Sequence, residues 1–129
     1  MDNELRTHKK GRILLVDDDE GILITTKAIF ELANYSVRAV ETGRGCLEAI
    51  KEGSFDVVVL DIELGDINGL EVLREIKGLQ PELPVIIMSV YYDQDLQTQQ
   101  IIAEEADGCI KKPFKMEEAI KMVEKALSN

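Results

Sequence analysis

Phe55-Asp56-Val57-Val58-Val59-Leu60-Asp61 is the stretch on which the fold turns. Its apolar centre is continuous and does not alternate, which is the pattern of a parallel strand covered on both faces, so a strand is predicted over 56–60. Working outward, 12–16 and 84–88 read the same way, and 36–40 and 108–111 are further strand candidates. Between them lie segments of helical period at about 19–33, 43–52, 68–78, 94–105 and 115–127. Asp18 or Asp19 can cap the first helix and Thr42 the second, while Gly53 and Gly78 are placed just after two helix ends. Met116, Ala119, Ile120, Val123 and Leu127 form the core stripe expected of the last helix. The fourth helix is weaker: only Leu96, Ile101, Ile102 and Ala103 offer it an apolar face.

Five such βα units with right-handed crossovers predict an α/β fold, a doubly wound, flavodoxin-like five-stranded parallel sheet in the order 2-1-3-4-5. One domain is expected over 12–129, preceded by a polar leader at 1–11. The leader holds the single histidine, His8, which is expected to be a solvated tail residue. No apolar run approaches the roughly 18 residues of a membrane span, and the leader lacks the features of a secretory signal, so the cytoplasm is the expected location. Cys46 and Cys109 belong to no metal-binding cluster and read as reduced. The formal net charge of −10 opposes direct nucleic-acid binding.

In a sheet of this order, ligands bind beyond the strand C-termini, between strands 1 and 3. The residues at that edge are Asp17-Asp18-Asp19 after strand 1, Asp61 after strand 3, Ser89 after strand 4 and Lys112-Pro113 after strand 5. Asp19 is expected to serve as a helix cap. Asp17, Asp18 and Asp61 would repel one another unless a cation intervened. Mg²⁺ suits them, because it prefers a few carboxylates, retained waters and a phosphate oxygen. One carboxylate can then attack a phosphoryl group to form an aspartyl phosphate, and Asp61, anchored by the strand before it, is the choice. Lys112 would supply a point charge and Ser89 a hydroxyl donor to the equatorial oxygens.

With those segments in view, the chain resembles the receiver domains of bacterial response regulators from about residue 12 to residue 127. The likeness is carried by Ile13-Leu14-Leu15-Val16-Asp17-Asp18, the stretch 55–61 leading into Gly69-Leu70-Glu71-Val72-Leu73, Met88-Ser89, and Ala106-Asp107 through Lys112-Pro113-Phe114. The resemblance implies a phosphoacceptor signalling switch, not an enzyme with its own substrate. Asp61 would receive a phosphoryl group from a phosphohistidine on a sensor histidine kinase or phosphotransfer protein. Asp18 and Asp61 would bind Mg²⁺ directly, with Mn²⁺ as a substitute, the Glu63 backbone carbonyl would complete the protein ligands, and Asp17 would act through water. Ser89 would move to meet the phosphoryl group, Lys112 would pair with it, and the Lys112–Pro113 peptide would be cis. Output would pass through helix 4, strand 5 and helix 5, about residues 93–127, to an effector or a second copy.

Several positions depart from the family pattern. Gly65 stands where proline is common and Asn68 where aspartate is common, which predicts a looser loop after Asp61. Cys109 occupies the strand 5 position of an aromatic switch residue, and Tyr91 or Tyr92 is expected to take over part of that coupling. Glu63 and Tyr91 would flank the path of hydrolytic water and so set the lifetime of the phosphorylated state. Among rival readings, a haloacid-dehalogenase-like phosphohydrolase would use Asp17 as nucleophile, but Gly21 and Lys-Pro-Phe stand where its further motifs are needed. A dinucleotide-binding module fails because Gly43-Arg44-Gly45 follows strand 2 and reads as a helix start. A degenerate, merely binding receiver is disfavoured by the full set of acids, Ser89 and Lys112.

Overall fold

The continuous apolar runs form the middle of one sheet in the computed structural model, which describes residues 9–90 and 95–128. In chain order the elements are β1 Arg12–Val16, α1 Glu20–Leu32, β2 Ser36–Val40, α2 Gly43–Glu52, β3 Val57–Asp61, α3 Gly69–Leu79, β4 Val85–Ser89, α4 Leu96–Glu105, β5 Gly108–Lys111 and α5 Met116–Leu127. The five strands are parallel, in the order β2-β1-β3-β4-β5. Every residue of β3 and β4 is buried, whereas β2 and β5, at the edges, are only partly covered.

Alternate residues of the central strands feed two separate cores. Leu14, Val16, Val58, Leu60, Val85 and Ile87 pack under α2, α3 and Ile102 of α4. On the other face Ile13, Leu15, Val57, Val59, Ile86 and Met88 pack under α1 and α5. Each fully buried side chain of this kind contributes about 1.5–3 kcal/mol, enough in sum to hold the strand ends in a fixed register. That register sets Val16 beside Leu60, Asp61 beside Met88, and Ser89 beside Lys111.

Helix ends follow local chemistry. Asp19 caps α1 by accepting from Ile22 N, and Thr42 caps α2 by accepting from Gly45 N. The C-terminus of α1 closes with Asn34 at a φ of 75°, its N–H donating to Glu31 O, while Tyr35 N–H donates to Phe30 O. Asparagine tolerates that left-handed position, and the Phe30 and Tyr35 rings meet edge to face across it.

A few sequence expectations need correction. Strands 3 and 4 each run one residue later than predicted, so Asp61 and Ser89 are the last ladder residues and not the first loop residues. Gly78 lies inside α3, which runs on to Leu79 and is capped by Gln80, whose N–H donates to Ile76 O. Met116, in the first turn of α5, is 47% exposed, and the buried stripe of the helix begins one turn later and consists of Ala119, Val123 and Ala126. In α4 only Ile102 is buried, and Leu96 and Ala103 face outward. Among the described residues no helix is long and apolar enough to cross a membrane.

Candidate functional site

Strands β1, β3, β4 and β5 end together, and each delivers a polar group to the same edge. Lys112 Nζ donates to Asp17 Oδ2 at 2.8 Å and to Asp61 Oδ2 at 3.0 Å. Asp17 is wholly buried, and Asp61 and Lys112 are 5% and 8% exposed. The second oxygen of each acid is also engaged: Asp19 N–H donates to Asp17 Oδ1 at 2.9 Å, and Glu63 N–H donates to Asp61 Oδ1 at 3.1 Å. Asp18 stands at the exposed rim. One carboxylate oxygen from each of Asp17, Asp18 and Asp61 lies within 4.8 Å of the others.

Burial pushes the Asp61 carboxyl up to about 6, and the Asp17 charge adds to that, against the downward pull of the Glu63 N–H and of Lys112. For Lys112 burial acts to lower the value, but hydrogen bonds and charges from Asp17 and Asp61 outweigh it and hold the ammonium above its ordinary range. Three carboxylates and one ammonium leave a formal charge of −2, which one divalent cation cancels. The donor set is all oxygen and partly open to solvent, as Mg²⁺ requires.

Ser89 is 1% exposed, and its carbonyl accepts the Lys112 N–H at 2.9 Å, which ties the ends of β4 and β5 together beside the acids. The Lys112–Pro113 peptide is cis. Glu63 is exposed at the mouth of the site. Cys109 is half-buried on β5 and lines a cavity of about 280 Å³ with Gln99, Ile102 and Ala103 of α4. Tyr91 and Tyr92 lie outside the described residues.

Glycine is needed at Gly69, where a Cβ would come within 2.5 Å of Ile62 Cα and 2.6 Å of the Asp61 carbonyl oxygen. Asn68, in place of the common aspartate, caps α3 by accepting from Leu70 N at 2.8 Å. One residue at this edge was not anticipated. Asp66 accepts from Gly43 N at 2.9 Å and from Arg44 N at 3.0 Å, at the start of α2. The available signal was indirect: Thr42 can cap only one of the free N–H groups of α2, so the others called for a distant acceptor.

The family model of the response regulator receiver domain matches residues 13–124. The chain belongs to this family. It is 39% identical over 116 residues to the regulatory protein VanRB of Enterococcus faecalis, covering 90% of this chain and 52% of that protein. With the transcriptional regulatory protein ZraR of Escherichia coli K12 it shares 32% identity over 123 residues, 95% of this chain and 28% of that protein. The chain thus spans about half or less of these curated relatives. Among solved structures, the CheY-like receiver domain from Methanospirillum hungatei JF-1 matches with a TM-score of 0.86 at 31% identity, covering 91% of this chain and 93% of that one. The response regulator protein TrrA from Thermotoga maritima, solved in complex with Mg²⁺-BeF, matches with a TM-score of 0.80 at 33% identity, over 93% and 100% of the two chains. The receiver domain is thus a phosphoacceptor module of two-component signalling, and its fold is that of the CheY-like proteins. The phosphohydrolase and dinucleotide readings lose their support with this membership.

Proposed function

We propose that this receiver domain takes a phosphoryl group onto Asp61 from a phosphohistidine of a sensor histidine kinase or phosphotransfer protein. The observation that carries the assignment is the Lys112 ammonium shared by Asp17 and Asp61, which marks the buried pole of an acidic site whose open side is Asp18. Asp18 and Asp61 would hold Mg²⁺ together with the Glu63 backbone carbonyl, Asp17 would act through water, and Mn²⁺ could substitute. Bound there, the cation supplies charge neutralisation for the acids and a ligand site for a phosphoryl oxygen.

The protein groups do the rest. An Asp61 carboxylate oxygen forms the bond to phosphorus as the phosphorus–nitrogen bond breaks, and the electron pair returns to the donor imidazole, which retains or picks up a proton. Lys112 stabilises charge on the transferring oxygens, and the Ser89 hydroxyl donates to one of them. The acyl phosphate carries about −1.5 to −2 where the carboxylate carried −1, and it brings three acceptor oxygens. Its effect passes to the face of α4, β5 and α5, about residues 93–127, and from there to an effector or a second copy of the chain. A single buried residue attaches α4 to the first core, backed by the surface pair of Arg74 and Glu105, so this helix is the element most easily displaced. Cys109 leaves room beside it, Tyr91 modulates the movement, and Glu63 tunes hydrolysis of the aspartyl phosphate. The net charge of −10 opposes direct contact of the domain with nucleic acid, and the cytoplasm is the location that suits a partner kinase domain of this kind.

Incubation with acetyl phosphate or phosphoramidate and Mg²⁺ tests the assignment. Intact mass should rise by one phosphoryl group, and both Asp61→Asn and chelation of the metal should abolish the gain. An unchanged gain in Asp61→Asn overturns it.

A further inference from the structure

The loop that follows Asp61 is held at several points. Ile62 N–H donates to Met88 O, Glu63 N–H to Asp61 Oδ1, and Gly69 N–H to Ile62 O. These bonds anchor the limbs of the loop close to β3, but none reaches its outer part, residues 64–66. Among the described residues that part is tethered by the Asp66 carboxylate, which accepts from two successive N–H groups of α2, 23 and 22 residues away in sequence. Burial opposes the ionised form there only weakly: the N–H donors of Arg44 and Gly43 hold the Asp66 carboxyl below its ordinary range.

Contact between the loop and α2 is close. A Cβ on Gly43 would meet Val72 Cγ2 at 2.9 Å and Ile67 Cβ at 3.2 Å, so this helix end cannot retreat from the loop without giving up its seat on α3. Next to Asp66, Gly65 sits beside the metal-site acids: a Cβ there would lie 3.8 Å from Asp18 Oδ2. The chain between the Glu63 carbonyl and Asp66 is only Leu64 and Gly65. With glycine there, the backbone itself gives the loop little stiffness.

We propose that Asp66 is a positioning residue, which clamps the loop after the phosphoacceptor to the N-terminus of α2 and so holds Glu63 and Gly65 in place over the Asp18 and Asp61 carboxylates. The inference rests on the metal and phosphoryl site proposed above. It differs from simple helix capping, because the same helix end has a second cap, Thr42, which accepts from Gly45 N at 2.9 Å and has no link to the loop. Removal of either acceptor exposes α2 N–H groups; only removal of Asp66 releases the loop.

The pair of caps makes the test. Parent, Asp66→Ala, Asp66→Asn and Thr42→Ala proteins are compared by amide hydrogen exchange in the metal-free state and by calorimetric titration with Mg²⁺. Asp66→Ala should lose protection at Glu63 N–H and bind Mg²⁺ about tenfold more weakly, at the low end for groups that orient a metal ligand. Asp66→Asn, which keeps one acceptor oxygen, should fall between that variant and the parent. Thr42→Ala should match the parent in both measurements. Parent-like exchange and affinity in Asp66→Ala overturn the proposal, and so does Thr42→Ala behaving like Asp66→Ala, which would trace the effect to helix stability. Absence of Mg²⁺ binding by the parent would instead sink the reading of the site, while the exchange data would still decide whether Asp66 holds the loop.

Discussion

Replacing Asp61 by asparagine should stabilise the metal-free protein at neutral pH. The Asp61 carboxyl rises from 3.8 to about 6 in the folded protein, chiefly through burial. A shift of that size means that ionised Asp61 costs about 3 kcal/mol more in the native state than in the unfolded chain. Asparagine never ionises, but its amide serves the Lys112 ammonium less well than a carboxyl group does, so a gain of about 2 kcal/mol is expected at pH 7. The sign follows from the proton count. Between about pH 4 and 6 the native state binds more protons than the unfolded chain, so the parent loses stability as pH rises through that window, and the whole penalty is present above it. The gap between variant and parent should therefore be small at pH 4 and full at pH 7. The chain has no tryptophan, so urea unfolding is best followed by far-ultraviolet circular dichroism, in chelator, at both pH values. A difference of about 2 kcal/mol moves the urea midpoint by roughly 1 M. Saturating Mg²⁺ should stabilise the parent selectively and narrow or reverse the order. A variant less stable than the parent at pH 7 in chelator, or a gap that does not close on acidification, refutes the reasoning.

Lys112→Ala removes the shared cation from Asp17 and Asp61 and should destabilise the metal-free protein by about 3–5 kcal/mol, with part of the loss recovered in Mg²⁺; urea titration with and without the metal measures both. Because protons compete with the metal for Asp61, Mg²⁺ affinity should be nearly level above pH 7 and about tenfold weaker at pH 5, read by calorimetry in two buffers. Gly69→Ala forces a Cβ onto the backbone of Asp61 and Ile62 and should cost about 3 kcal/mol together with phosphorylation; wild-type melting and labelling would show that the loop can move aside.

Much of this architecture is legible in local pattern. The runs at β1, β3 and β4 announce strands covered on both faces, because a strand with one solvated face would alternate. The acids, Ser89 and Lys112 could be assigned to one edge because each follows a strand, and parallel strands end at the same side. Boundaries were less legible: the shift of β3 and β4 by one residue depends on ladder bonds such as Ile62 N–H to Met88 O, which join residues distant in sequence. Met116 has the period of the core stripe, yet whether its turn reaches the sheet is a matter of where the helix is seated.

Strand count and the identity of the reactive groups thus reside in the chain itself, in runs and spacings that act over a few residues. The convergence of Asp17 and Asp61 on one Lys112 nitrogen, across 95 and 51 residues, and the grip of Asp66 on α2 were settled only by folding. A carboxylate accepts from any donor that approaches it, so its partner is chosen by the crossover geometry that brings strand ends and helix ends together. No periodicity records that geometry.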